Sequence, residues 1–226
     1  MGPKTGHPQA LTNRESFSTP DPAAAGPAPG ATPPHAPAAG GIAAVIPCFN
    51  RPADLAALLA DLFDEAAGLG GLRGPGAFSV IVVDNASDPP LGAVVEPLRA
   101  RWASAGLALG LLRLEANLGG SGGFNAGMRA ALARPPEDAP WALWLLDSDA
   151  RLEPGALRHL LAALGHDPAL AAVGSALADP DTGEVFEVGG RINRRTGEFE
   201  QPLPPGWESR PVIDAEYAAA CSILVR

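Results

Sequence analysis

Two stretches decide the fold of this chain: NLGGSGGF at residues 117–124 and LWLLDSDA at residues 143–150. The first has the composition of a glycine-rich turn that opens a helix, and the second is an apolar strand that ends in two acids. The first-turn amides of a helix lack intrahelical partners and carry a partial positive charge, which suits phosphate oxygens. Asp147 and Asp149 stand at i and i+2 of an extended chain, so they point to the same side and suit a divalent cation. Together the two stretches predict a site for a metal-bound diphosphate, such as that of a sugar nucleotide.

The segments around these stretches alternate between strand and helix character from Gly41 onward. We expect strands at residues 42–47, 78–83, 107–114 and 141–146, with helices between them, and further strands at 169–177, 184–188 and 214–225. The early strand segments are continuous apolar runs, which are typical of parallel strands covered on both faces. The order of the elements therefore predicts an α/β fold with a mostly parallel central sheet and right-handed crossovers.

Composition limits the remaining possibilities. The chain has 226 residues, 46% of them apolar, which is enough for one domain with a substantial core. We place that domain at residues 41–226 and interpret residues 1–40, which are rich in Pro, Ala and Gly, as a disordered tail. The net charge of −9 argues against a nucleic-acid partner. No apolar run is long enough for a transmembrane segment or resembles a signal peptide, which favours a cytoplasmic location.

Three features fall at the carboxyl ends of predicted strands, where ligands of α/β sheets gather. They are Asp84, the glycine run and the Asp147/Asp149 pair. Asp84 is either an acceptor for a base or ribose group or a helix cap, and Arg51 is either a nucleotide contact or a solvated side chain. The two acids also have a simpler interpretation as turn or helix-cap residues. Their coincidence with a phosphate-type turn favours the metal site.

The glycine run has competing interpretations. No dinucleotide fingerprint can be drawn through it, and in P-loop spacing the required Lys and Ser/Thr are replaced by Met128 and Arg129. Residues 119–123 match G-x-S-x-G, which would make Ser121 the nucleophile of a serine hydrolase. The later histidines, His159 and His166, lie within or just after a predicted helix, which disfavours that alternative. A plain turn without a ligand also remains open.

Four motifs resemble those of inverting family 2 glycosyltransferases. VIPCFNR at 45–51 and VVDNAS at 82–87 are similar to the opening strands of that family, while NLGGSGGF and DSD resemble its galactofuranosyltransferase and rhamnosyltransferase branch. The resemblance covers most of residues 41–226. It implies a GT-A fold, a UDP-sugar donor such as UDP-galactofuranose, a Mn2+ or Mg2+ cofactor, and a glycan or lipid-linked acceptor. It also implies a role in cell-wall biogenesis, at the inner face of a membrane if the acceptor is lipid-linked.

The resemblance assigns roles to individual residues. Asp147 and Asp149 would be the D-x-D motif that holds the metal on the diphosphate. The residues implied for donor binding are Pro47, Arg51, Asp84, Asn117, Gly119, Gly120 and Asp147.

The family's acidic general base lies beyond the strand that residues 218–226 resemble, so the resemblance places it after Arg226. A general base must reach the acceptor hydroxyl. We therefore expect this chain to be the donor-binding part of a longer enzyme, or a truncated product that lacks the acceptor part. The alternative from another functional class is a non-catalytic module that binds a sugar nucleotide.

Overall fold

The central sheet is built from four strand–helix units followed by a β-rich segment. The computed structural model describes residues 40–69, 77–201, 203–210 and 212–226, so the predicted tail lies outside the described residues except for Gly40. The four units are β1 (Ile42–Cys48), α1 (Pro52–Gly68), β2 (Phe78–Asp84), α2 (Gly92–Ser104), β3 (Ala108–Arg113), α3 (Gly119–Leu132), β4 (Ala142–Leu146) and α4 (Ala156–His166). After them come β5 (Ala172–Gly174), β6 (Leu177–Ala178), β7 (Val185–Glu187), β8 (Arg191–Ile192), β9 (Phe199–Glu200), a short 3-10 helix (Trp207–Ser209) and β10 (Ser222–Val225).

The predicted α/β fold with a mostly parallel sheet is confirmed. The six-stranded sheet has the order β3-β2-β1-β4-β10-β5. Strands β1 to β4 run parallel, and β10 is antiparallel to both of its neighbours. The register pairs Cys48 with Asp84 and Asp84 with Arg113. The carboxyl ends of the parallel strands therefore meet at one edge of the sheet.

Helices cover both faces of the sheet. One face packs against α1, α2 and α4, and its core includes Trp102 and Trp144, both of which are buried. The other face packs against α3. A Cβ built on Gly123 would lie 2.6 Å from Pro47 Cβ, and one built on Gly127 would lie 2.9 Å from Val83 Cγ2. These two glycines thus allow α3 to lie unusually close to the sheet.

The β-rich segment differs from the prediction in two places. The strand expected at 169–177 is split into β5 and β6. Ser175, which follows β5, bonds to Ser222 of β10 through its backbone amide and its hydroxyl group. The chain then leaves the central sheet, and β6 pairs with β7. The strand expected at 214–225 is regular only over β10. Upstream of β10, Tyr217 forms an isolated bridge with Gly190, outside the central sheet. Within the described residues, no helix combines the length and the apolar character needed to span a bilayer.

Candidate donor-binding site

Backbone strain marks the edge of the sheet where the parallel strands end. Asn50, after β1, and Ala86, after β2, have φ values of 55° and 63°, in the left-handed region that non-glycine residues seldom adopt. The two loops hold each other in place. The Asn50 amide donates to Ser87 Oγ at 3.0 Å, and Asn50 Oδ1 accepts the amide of Asp88 at 2.8 Å. Strain sustained by such contacts is typical of binding and catalytic loops.

Asp84 is fully buried at the end of β2 and is bound by its own chain. Its carboxylate accepts the amides of Ser87 at 2.8 Å and Leu91 at 3.1 Å, and it forms an ion pair with Arg113. Burial alone would raise the pKa of Asp84, but the amides of Ser87 and Leu91 and the Arg113 guanidinium together lower it. Asp84 therefore organises the loop that leads into α2. The predicted contact of Asp84 with a base or ribose group stays a prediction, and the carboxylate is buried in this structure.

Two asparagines fix the start of α3. Asn85 donates to the carbonyl of Gly119 at 3.1 Å and accepts the amide of Leu118 at 2.8 Å, so it ties the end of β2 to the glycine run. Asn117 Oδ1 accepts the amide of Gly119 at 2.8 Å. Sequence reasoning singled out Asn117 but gave no role to Asn85. The available signal was an amide side chain, able both to donate and to accept, at the end of a strand.

The glycine run forms the first turn of α3 itself rather than a turn that precedes it. Gly119 has a φ of 69°, and a Cβ built on Gly119 or Gly120 would meet no atom within 4 Å. Because a helix does not bond its first amides internally, the amides of Gly120 and Ser121 are open to an approaching anion, whereas the Gly119 amide is already bonded to Asn117. Gly119 and Gly120 are thus open at the helix start, Gly122 packs against Leu118, and Gly123 and Gly127 pack against the sheet.

The register of β1 and β4 places Asp147, which directly follows β4, on the face of the sheet that carries α3. β1 and β4 pair through Val45 and Leu145, so Pro47 and Asp147 occupy the next equivalent positions two residues on. The proximity of Pro47 to Gly123 shows that this side of the sheet meets α3. Burial and the negative charge of Asp149 raise the pKa of Asp147. By this register, Pro47 and Asp147 lie on the side of the sheet that meets α3, and a shared site at this edge stays a prediction.

Asp149 forms an ion pair with Arg51. Arg51 Nη1 lies 2.9 Å from Asp149 Oδ2 and 3.3 Å from Asp54 Oδ2, and all three side chains are about half exposed, at 54%, 50% and 47%. Ser148, between the two acids, is buried. The acids therefore lie on the open side of the chain, while the residue between them is part of the packed interior.

The two acids fit a cation that arrives with a diphosphate. Their carboxylate oxygens are hard ligands, and a cation would relieve the repulsion from Asp149 that, after burial, raises the pKa of Asp147. Among the described residues, no cluster of three or more His, Cys, Asp or Glu side chains could form an all-protein cage. One or two carboxylates completed by phosphate oxygens and water are the usual ligands of Mg2+ in nucleotide sites.

Helix α1 positions the segment that follows Asp149. Asp61 accepts two bonds from Arg151, at 2.7 and 2.9 Å, and the amide of Leu152 at 3.1 Å. Glu65 is buried and accepts the amides of Gly155 and Leu157 at the start of α4. These contacts cross about ninety residues of sequence, and local pattern did not predict them.

Cys221 lies beside Asp147, because the Asp147 amide donates to the Cys221 carbonyl at 3.1 Å. Both cysteines are free thiols. Burial, followed by the charges of Asp147 and Glu187, raises the pKa of the Cys221 thiol. Glu187 is only 8% exposed and has no side-chain hydrogen bond within the described part of the chain. The sequence analysis did not single it out.

The serine-hydrolase alternative gains no support. Ser121 lies in the first turn of α3 and is exposed, while His159 and His166 both belong to α4. No hydrogen bond joins Ser121 to either histidine in the regions described. β3 also ends at Arg113, several residues before the helix, whereas a nucleophile elbow needs a sharp turn directly off the strand.

A known structure shares this architecture. A mannosyltransferase from Pyrobaculum calidifontis, PcManGT, in complex with GDP-Man and Mn2+, matches 62% of this chain and 36% of its own at 20% identity, with a TM-score of 0.50. Residues 1–349 of TarS from S. aureus match 66% of this chain and 42% of their own at 21% identity, with a TM-score of 0.44. The chain thus spans less than half of either structure. The likeness to PcManGT confirms the expected GT-A fold. No curated protein matches the chain.

The strongest comparison is with a family model. The model described as glycosyl transferase family 2 matches residues 43–212, which include the two strained loops, the glycine run and both acids. That range is most of the chain and nearly all of its described part. The chain therefore belongs to glycosyl transferase family 2.

Proposed function

We propose that this chain binds a nucleoside-diphosphate sugar together with Mn2+ or Mg2+ and supports transfer of the sugar, with inversion, to a glycan or lipid-linked acceptor. One observation carries the proposal. Asp147, Asp149 and the open amides of α3 all lie at the edge of the sheet where the parallel strands end. Carboxylates for a cation and free amides for phosphate oxygens are what a metal-bound diphosphate requires.

The residues of the site have separable roles in this proposal. Asp147 and Asp149 hold the cation, and the free backbone amide of Gly120, next to Gly119, receives the diphosphate. Arg51 adds a positive charge at the same edge. A bound divalent cation offsets the negative charge that grows on the departing diphosphate. The chain itself orients the donor and holds its phosphates in place, so that the bond to the sugar faces the acceptor.

The base of the donor has an exposed aromatic neighbour in this proposal. Phe49, in the loop after β1, is 43% exposed, and aromatic faces stack on nucleobases. Asp84 shapes the adjacent loop from inside. UDP-galactofuranose or a related UDP-sugar is the donor we favour, on the resemblance of the motifs at 117–124 and 147–149. A cell-wall glycan made at the cytoplasmic membrane face is the corresponding acceptor.

Calorimetric titration tests the proposal. UDP is titrated into the wild-type chain with and without Mn2+, and then into Asp149→Ala. We expect binding that requires Mn2+ and that weakens by about tenfold or more in the variant, as the loss of a metal contact commonly does. Asp64→Ala removes an exposed acid from α1 and is the matched control. A folded wild-type chain that binds no nucleotide, or equal binding by Asp149→Ala, would overturn the proposal.

Competition between UDP and GDP then tests the choice of base, and turnover of a UDP-sugar tests catalysis. Mn2+-dependent UDP binding without any turnover by the intact protein would favour the non-catalytic module over the enzyme. A preference for GDP would leave the diphosphate site in place and overturn only the proposed base.

A further inference from the structure

Arg51 is shared between two carboxylates that have different positions in the proposed site. Asp149, after β4, is a proposed metal ligand, whereas Asp54 lies in the first turn of α1. The same guanidinium nitrogen, Nη1, contacts both, at 2.9 Å and 3.3 Å. A cation ligated by Asp149 and the Arg51 guanidinium therefore compete for the negative charge of one side chain.

We propose that Arg51 is an exchangeable counter-ion that makes the site select a metal–diphosphate complex over the free metal. The inference rests on the proposed function. A free divalent cation must displace Arg51 from Asp149 and leaves the guanidinium beside another positive charge. A metal–diphosphate complex brings phosphate oxygens that accept the displaced guanidinium, so the lost ion pair is replaced.

The geometry suits such an exchange. All three side chains are about half exposed, and ion pairs at that exposure contribute little to stability. Asp54 lies close enough to keep hold of the guanidinium when Asp149 releases it. Arginine is also suited to both partners, because its planar fork fits carboxylate and phosphate oxygens alike.

Two substitutions should change Mn2+ binding in opposite directions. Arg51→Gln removes the competing charge, so we expect Mn2+ alone to bind about three- to tenfold more tightly than to the wild-type chain. Asp54→Asn removes the second carboxylate that contacts Arg51, so the guanidinium pairs only with Asp149 and Mn2+ without UDP should bind more weakly. Arg51→Lys keeps the charge and should stay near the wild type for Mn2+ alone. Arg99→Gln, which breaks a surface pair with Glu96, is the control.

The decisive comparison uses Mn2+ and UDP in the same series. Arg51→Gln should bind UDP in the presence of Mn2+ about tenfold more weakly, even as it binds Mn2+ alone more tightly. Free Mn2+ is followed by electron paramagnetic resonance, UDP by calorimetry, and folding by circular dichroism. If Arg51→Gln weakens the binding of Mn2+ alone and of UDP with Mn2+ to the same extent, Arg51 has only a structural role. If the affinity of Arg51→Gln for Mn2+ alone is unchanged, Arg51 is only a phosphate contact.

Either of those results would overturn the inference while leaving the proposed function intact. The proposed function fails separately, if the folded wild-type chain shows no Mn2+-dependent UDP binding at all. If neither the wild-type chain nor Arg51→Gln binds Mn2+ alone or with UDP, both conclusions fail together.

Discussion

Replacing two glycines of α3 by alanine should separate packing from ligand binding. Gly127 is buried, and an added Cβ would collide with Val45 and lie 2.9 Å from Val83 Cγ2. Both valines are fully buried on central strands, so neither can move aside easily. Gly120 lies in the same helix with nothing within 4 Å of the position where its Cβ would stand. The two substitutions add the same methyl group to opposite environments.

The expected stability changes differ in sign. At Gly127 we take an overpacking penalty of about 2–3 kcal/mol and subtract a gain in helix propensity of about 1 kcal/mol, which leaves a loss of about 1–2 kcal/mol. For a domain of this size, that loss corresponds to a fall in Tm of roughly 2–8 °C. At Gly120 only the propensity gain remains, about 0.5–1 kcal/mol, because no atom is displaced.

Thermal and urea unfolding, followed by circular dichroism, measure the stability changes, and titration of UDP with Mn2+ measures the affinity. We expect Gly127→Ala to lose stability and Gly120→Ala to keep or gain it, while the affinity of Gly120→Ala for UDP falls. A Gly127→Ala chain as stable as the wild type would refute the close packing of α3 on the sheet. Unchanged UDP affinity in a stable Gly120→Ala chain would refute the approach of the diphosphate to this part of the backbone.

Three further predictions follow from the charged and buried groups near the sheet edge. The pKa of Asp147 is raised in the folded protein, so folding disfavours its ionised form. Asp147→Asn should therefore raise the free energy of unfolding at neutral pH by roughly 0.5–1 kcal/mol. This gain should shrink at acid pH, where Asp147 of the wild-type chain becomes protonated. Melting curves across a pH series check this, and a gain that persists undiminished at acid pH would contradict it. The pKa of Asp84 is lowered in the folded protein, so the stability that its carboxylate contributes is present above the unfolded-state pKa and is lost as the pH falls through the folded-state pKa. Arg113→Gln should lower the free energy of unfolding by about 1–2 kcal/mol at neutral pH, and the acid loss of stability should then begin at a higher pH. Urea unfolding across a pH series measures both effects. The pKa of the Cys221 thiol is raised by burial, so iodoacetamide at neutral pH should label it far more slowly in the folded than in the denatured chain, and equal rates in mass spectrometry would refute this.

Local pattern was sufficient for the strands that build the site. The apolar runs ending at Pro47, Val83 and Leu146 predicted β1, β2 and β4, because parallel strands buried on both faces need continuous apolar sequence. The same reasoning predicted that the acids and the glycine run lie at one edge. It was less effective after α4, where strands of two or three residues are too short to show a period.

Pairing across distant parts of the chain was not predictable from local pattern. Arg51 and Asp149 are 98 residues apart, and Arg113 and Asp84 are 29 apart. Which charged side chains meet depends on strand order and register, and one sequence read locally specifies neither. For the same reason, the sequence could place Asp84 at the end of a strand without showing that its oxygens are already bound by Ser87, Leu91 and Arg113.

The conformations and charges that disfavour folding concentrate at the edge that carries the site. Asn50 and Ala86 occupy left-handed backbone positions, and Asp147 is held near a second negative charge despite partial burial. Each costs stability, and the well-packed sheet beneath them offsets that cost. A bound divalent cation would relieve the repulsion between the acids, while Arg51 relieves part of it in this structure. The arrangement is therefore better explained by selection for binding than by selection for stability, since Asp147→Asn should fold more readily than the wild type.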